Sequence, residues 1–282
     1  TNQLRQSRWG ESNPRLFIAT HVSNAEVSGV ERAETDNSGL YIGRTFAASE
    51  SIVYGLMASF GKQELDLENT QLEANHWGVN GMLALQRGNY FVESQVGLAV
   101  LTFDDLQRGI KLGAKNISAV GKTDGYALNL EILAGFNLVS SDTWKLGPAA
   151  GIQLSRSLVK GYTESGGEIS NYRWNVQKRD RQILRLGLVA KGALSERATL
   201  FAEIFAGSDF ADKELHIEVK NTRLLFSEYA MPALVLKDRS EINVNLGSSV
   251  TIGRDGSLDI HYSYSDRSED AQSVSIGYSM VF

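Results

Sequence analysis

The 282-residue chain has no cysteine, which excludes disulfide frameworks, thiolate metal sites and cysteine nucleophiles. Proline is scarce, with 3 residues against 27 glycines, and this argues against proline-rich linkers and for extended chain with tight bends. Basic residues are not in excess: 28 of them stand against 33 acidic ones, so nucleic-acid binding has little electrostatic support. No run approaches the roughly 20 apolar residues of a membrane helix. The stretch from Thr1 to Arg8 lacks the apolar centre of a signal peptide, so any such peptide is expected to have been removed or to lie upstream. Mean hydropathy is slightly negative, the usual mark of a soluble protein. That inference fails for a barrel whose strands turn every second residue to a polar lumen.

What the sequence does have is alternation with a period of two, from near its start to its last residue. In 126–138, Tyr126, Leu128, Leu130, Ile132, Ala134, Phe136 and Leu138 share one face, and Asn129, Glu131, Gly135 and Asn137 lie on the other. In 242–252, Ile242, Val244, Leu246, Val250 and Ile252 oppose Asn243, Asn245, Gly247 and Ser249. A helix cannot separate residues this way, whereas a strand does so by its pleat. The pattern predicts twelve strands over 14–28, 37–48, 51–66, 71–87, 89–105, 122–139, 143–159, 175–193, 197–219, 235–252, 257–267 and 271–282. A soluble sandwich also alternates, but its strands run nearer five or six residues and its second face is surface. These strands are longer, and their second face carries Asn, Gln, Glu, Arg and Gly.

The connections alternate as well. After even-numbered strands come tight links, near Ser49–Glu50, Gly88, Ser140–Asp142, Leu194–Glu196 and Gly253–Gly256; after odd ones come polar loops at 106–121, 160–174 and 220–234. Short turns on one side and long loops on the other characterise outer-membrane barrels, with the short side periplasmic. On the apolar parity, Phe46, Tyr54, Tyr90, Phe136 and Phe282 fall near one rim, and Phe60, Trp77, Tyr126, Tyr262 and Tyr264 near the other. Two such belts are expected at headgroup level. Arg44 breaks the pattern, because this register turns it outward, where it must snorkel unless the register slips.

Candidate chemistry is sparse. His21, His76, His216 and His261 show no metal-ligand spacing, and there is no G-x-S-x-G elbow. No catalytic, cofactor-binding or metal-binding residue is assigned, and no cofactor is expected. His76 and His261 have lumen parity, where a hydrogen-bonded wall residue is the ordinary reading. Ser165-Gly166-Gly167 reads as a loop turn rather than a nucleophile. Glu131, Arg185, Glu203 and Asp259 fall at mid-strand on the lumen parity; charges at membrane depth must face protein or water and pair. They either hold an occupant of the pore or simply brace the wall. Gly55, Gly97, Gly135, Gly151, Gly187 and Gly247 share that parity and are expected to leave room for an occupant.

The last eight residues, Ser-Ile-Gly-Tyr-Ser-Met-Val-Phe, resemble the C-terminal β-signal of outer-membrane proteins through Ser275, Gly277, Met280 and Phe282. A short polar, helix-compatible segment precedes the strands. In this order of parts the chain resembles the translocator β-domain of an autotransporter over nearly its whole length. Three stretches look similar to translocators of GDSL-type esterase and subtilase autotransporters: Lys122–Tyr126, Val159–Gly166 and Gln177–Arg181.

The resemblance implies type V secretion of an N-terminal passenger by an all-β, transmembrane antiparallel barrel of about twelve strands in the bacterial outer membrane. Residues 1–13 would form a short helical linker in the lumen, with Arg5 and Arg8 facing the wall, and 14–282 the barrel. The chain would not itself be an enzyme. Its partners would be outer-membrane lipid, the β-barrel assembly machinery and its own passenger, with no nucleic acid, and it would act as a monomer. Some relatives cut the passenger at an Asn-Asn junction; this chain has Asn2 but no Asn-Asn pair, so that chemistry is not supported. The alternatives are a twelve-stranded channel, or a barrel hydrolase such as a phospholipase or protease, which would need a Ser/His/Asn or Asp/His set converging at one rim.

Overall fold

In hydrocarbon no water is available to satisfy a backbone N–H or C=O, so spanning strands must bond to neighbours on both sides and close on themselves. The computed structural model describes residues 14–281, apart from 29–31, 68–69, 113–114, 142, 212–213, 216–217, 224–227, 231–233, 236–239 and 267–268. It contains twelve long strands. They are β1 (Arg15–Ser28), β2 (Arg32–Ser49), β3 (Ile52–Leu67), β4 (Thr70–Arg87), β5 (Tyr90–Leu112), β6 (Lys115–Phe136), β7 (Trp144–Val159), β8 (Gln177–Ser195), β9 (Ala198–Asp209), β10 (Ser240–Ile252), β11 (Gly256–Ser265) and β12 (Glu269–Val281). Each pairs antiparallel with the next. β12 pairs back onto β1, from Arg15 opposite Val281 to Val27 opposite Glu269, so the sheet is a closed barrel.

Its surface is inverted relative to a soluble protein. Leu56, Leu98, Leu186, Leu188 and Ile204 are exposed on the outer wall, while Glu93, Arg185, Glu203, Asp259 and His261 are buried on the inner one. Both aromatic belts are present: Tyr54, Tyr90, Phe60, Trp77, Tyr126 and Tyr262 all lie exposed on the outward parity. Near the short-turn rim the rings pack in pairs, Phe46 stacked on Tyr54 at 5.2 Å and Tyr90 against Phe136 at 4.8 Å. The tight turns at that end use Gly88 and Gly253 at φ 59° and 69°, a conformation that costs glycine little. Arg44 does face outward; its partners Leu16 and Leu56 confirm the register.

At the other end the sequence reading needs correction. The expected loop 106–121 is a hairpin: β5 and β6 are 23 and 22 residues long, about twice what a bilayer needs. A register shift between Phe103 and Leu106 bends this hairpin where it leaves the barrel. β2 begins at Arg32 rather than 37, and β10 at Ser240 rather than 235. The ninth strand stops at Asp209, whose side chain accepts hydrogen bonds from the Gln182 and Ala211 backbone N–H groups. Beyond the bilayer neither face of a strand must be apolar, so the alternation that marks strands disappears there.

The long-loop end also carries a small four-stranded sheet. It is built from Tyr162–Thr163, Tyr172–Trp174, Glu218–Asn221 and Glu228–Ala230. Its anchor is the buried carboxylate of Glu164, which accepts from Arg108 Nε and a second Arg108 nitrogen at 3.0 and 2.6 Å, from Trp174 Nε1 at 2.9 Å and from the Tyr172 N–H at 2.8 Å. Burial, then the nearby Glu164 charge, pushes the Tyr162 hydroxyl pKa well up. Ser165 forms a backbone bridge with Val120, and Gly166 takes φ 84°, so Ser165-Gly166-Gly167 is a turn.

The outward and inward parities should differ sharply in their tolerance of charge. Leu130→Arg and Leu246→Arg should each destabilise by about 2–4 kcal/mol near the midplane, while Asn129→Arg and Asn245→Arg should cost far less. Urea unfolding from lipid vesicles measures this, and equal penalties on both faces would show the assigned wall to be wrong.

Candidate functional site: the barrel lumen

The lumen wall is built by alternate residues of all twelve strands, and its chemistry is polar. Arg185 on β8 reaches across β7 to an ion pair with Glu131 on β6, and its guanidinium lies 5.0 Å from the Phe205 ring centre. Glu203 on β9 accepts from Asn245 Nδ2 at 3.3 Å. Asp259, on β11 opposite Gly277 of β12, is 1 % exposed. Of the four expected wall charges, the structure therefore joins Glu131 with Arg185 and sets Glu203 and Asp259 on walls separated by β10. Nearer the long-loop end, Arg181 holds Glu241 at 3.3 Å. A cavity of about 460 Å³ occupies the lumen, lined among others by His21, His76, Glu131, Asp259, His261 and Ser275.

The lumen glycines do not leave simple gaps, as the sequence reading expected. Several face a ring directly across the ladder, and that ring lies over the glycine. Phe91 covers Gly135, Phe205 covers Gly187, and Phe201 and His261 together cover Gly247. The same holds for Phe17 on Gly43, His21 on Gly39 and His76 on Gly61. A Cβ at any of these positions would overlap the ring and drive it toward the axis. Glycine thus keeps the lumen wide by letting bulky rings fold onto the wall. The signal was present in the sequence, since each ring and its glycine are paired once the hairpin register is known.

Three histidines, His21, His76 and His261, face the lumen. Ser275 lies opposite both His21 and His261 in the register. Yet His261 leans toward Gly247 and packs on Phe201 at 4.7 Å, and His21 leans over Gly39 with Tyr41 Oη 3.5 Å from its Nε2. The register thus brings a serine and two histidines into one row of the wall. Among the described residues no group of His, Cys, Asp or Glu is arranged to hold a metal ion.

Of the C-terminal motif, Ser275 and Gly277 face the lumen and Met280 faces outward on β12; Phe282 lies outside the described residues. Arg5 and Arg8 also lie outside them. The covered-glycine arrangement has a direct test. Gly247→Ala should destabilise the barrel by about 1–3 kcal/mol, the range for overpacking, and adding Phe201→Leu should recover part of that loss. Strictly additive effects in unfolding titrations would mean that the ring and the glycine do not share one space.

Comparison with known proteins agrees with this architecture. Residues 17–263 match the family model described as autotransporter beta-domain. The chain is 24 % identical over 257 residues to esterase EstA of Pseudomonas aeruginosa, covering 89 % of this chain and 40 % of that protein; it therefore spans less than half the length of this curated relative. Among solved structures, the translocator domain of NalP from Neisseria meningitidis superposes with a TM-score of 0.79 at 15 % identity, covering 96 % of this chain and 88 % of that one. The β-domain of the Bordetella autotransporter BrkA gives 0.64 at 17 % identity, covering 96 % and 100 %. The closed barrel with its polar lumen belongs to the autotransporter β-domain family, and the chain is an outer-membrane translocator domain.

Proposed function

We propose that this barrel conveys a passenger encoded upstream of Thr1 to the cell surface, and that residues 1–13 remain in the lumen as a helical linker while 14–282 form the wall. The supporting observation is a wide polar lumen whose rings lie folded against its wall. Twelve strands about 4.8 Å apart, tilted by about 40°, enclose a backbone cylinder about 24 Å across. An α-helix with side chains is about 10–12 Å wide, so one helix fits with wall side chains on every side. Arg5 and Arg8 are three residues apart and would share one helix face. On that face they could meet the acidic wall residues Glu131, Glu203 and Asp259. A helix this short is marginal in water, and such contacts lower the cost of ordering it.

In this reading the short-turn end is periplasmic, β12 with Phe282 is the edge that the β-barrel assembly machinery reads, and the barrel works as a monomer surrounded by outer-membrane lipid. EstA is named as an esterase, so esterase activity is the first to assay in the segment upstream of Thr1.

Two experiments bear on these roles. In planar bilayers the intact chain should conduct poorly, and deleting residues 1–12 should raise single-channel conductance several-fold; reversing Arg5 and Arg8 together should give an intermediate, flickering state. Unchanged conductance after the deletion would place these residues outside the pore. Removing Phe282, or introducing Gly277→Asp, should reduce outer-membrane insertion in cells much more than refolding in detergent. Equal losses in both assays would reduce the motif to a contribution to barrel stability.

A further inference from the structure

Between the two aromatic belts the outward parity carries one charged residue among the described residues, Arg44. Beyond the belt at the long-loop end, three outward cations have acidic partners. Lys62 pairs with Glu64 and Glu73, Arg156 with Asp180, and Lys160 with Asp124. Arg44 has no carboxylate partner among the described residues, and its cross-strand neighbours are Leu16 and Leu56. A lone cation on a lipid-facing wall is costly, and it persists where something neutralises it.

Its side chain has a defined direction. The guanidinium carbon lies over the Phe46 ring at 5.0 Å, and Phe46 stacks on Tyr54 at 5.2 Å with the planes 17° apart. Phe46 is the next outward residue toward the short-turn rim, so the stack aims the charge from the apolar band to the headgroup level. Leu16, Ile18, Ile42 and Leu56, all exposed, surround the site on the hydrocarbon side. The parts are those of a lipid seat: a planar donor fork that matches phosphate oxygens, an aromatic face that holds the fork, and an apolar wall for acyl chains.

We propose that Arg44, held over the Phe46–Tyr54 stack, binds the phosphate of an anionic phospholipid in the inner leaflet of the outer membrane. A net-anionic lipid is favoured over a zwitterionic one, because the latter's own ammonium already balances its phosphate. The choice of leaflet rests on the short-turn end being periplasmic; the site itself rests only on the barrel wall and is independent of what the lumen conveys.

The test uses the full chain in phosphatidylcholine vesicles, with and without phosphatidylglycerol, reading thermal unfolding by circular dichroism and bound lipid by native mass spectrometry after extraction. Wild type should gain thermal stability with phosphatidylglycerol and retain one such lipid. Arg44→Leu, which keeps the wall apolar and should fold, should lose both the shift and the adduct. Arg44→Lys should keep part of the shift, and Arg156→Leu should keep all of it. Inorganic phosphate added to phosphatidylcholine vesicles should produce no shift. A full shift in Arg44→Leu, an equal loss in Arg156→Leu, or a shift produced by inorganic phosphate would each overturn the proposal.

Discussion

Every other property of this molecule follows from the need to bond all backbone donors and acceptors without water. Each unsatisfied N–H or C=O in hydrocarbon costs several kcal/mol, so an open edge along β1 or β12 would be prohibitive over a bilayer's depth. The seam between those strands closes this gap. Closure then dictates the rest. A closed single-layer sheet has an outside in lipid and an inside out of it, so the pleat must place apolar residues on one parity and polar ones on the other. The exposed leucines and isoleucines and the buried Glu, Arg, Asp and His residues are two results of the same geometry.

Closure also creates a lumen that must be managed. An interior lined with full-length aromatic side chains pointing at the axis would narrow it. The wall avoids this by setting glycines opposite phenylalanines and histidines, so that the rings lie along the sheet. What remains open is bordered by hydrogen-bonding groups and paired charges such as Arg185 with Glu131. A lumen of this kind suits polypeptide in transit, because it offers hydrogen-bonding and ionic contacts along its wall.

The transmembrane part was legible in the sequence because lipid enforces it. The alternation at 126–138 and 242–252, the aromatic belts and the outward placement of Arg44 all reappear in the structure. The strand extensions were not legible, because residues such as Glu34–Asp36 or Gln107–Lys111 lie beyond the lipid, where neither face of a strand must be apolar. The small sheet at the loop end was hidden for a related reason. It is held by Glu164 meeting Arg108 from a different hairpin, a contact with no local signature. The ion pair of Glu131 with Arg185 joins residues two strands apart, and its partners emerge only when successive registers are accumulated around the wall. The covered glycines could have been found in sequence, but only by pairing strands first and reading composition afterwards.

The central claim is that a closed barrel with a polar lumen serves to bring upstream polypeptide to the cell surface. The direct measurement is to fuse an epitope-tagged segment ahead of Thr1, express it in a Gram-negative host and label intact cells with antibody. The account predicts that the epitope is reached on intact cells while the barrel migrates as a folded, heat-modifiable outer-membrane protein. A barrel that inserts in this folded form while its epitope is reached only after permeabilisation would contradict it.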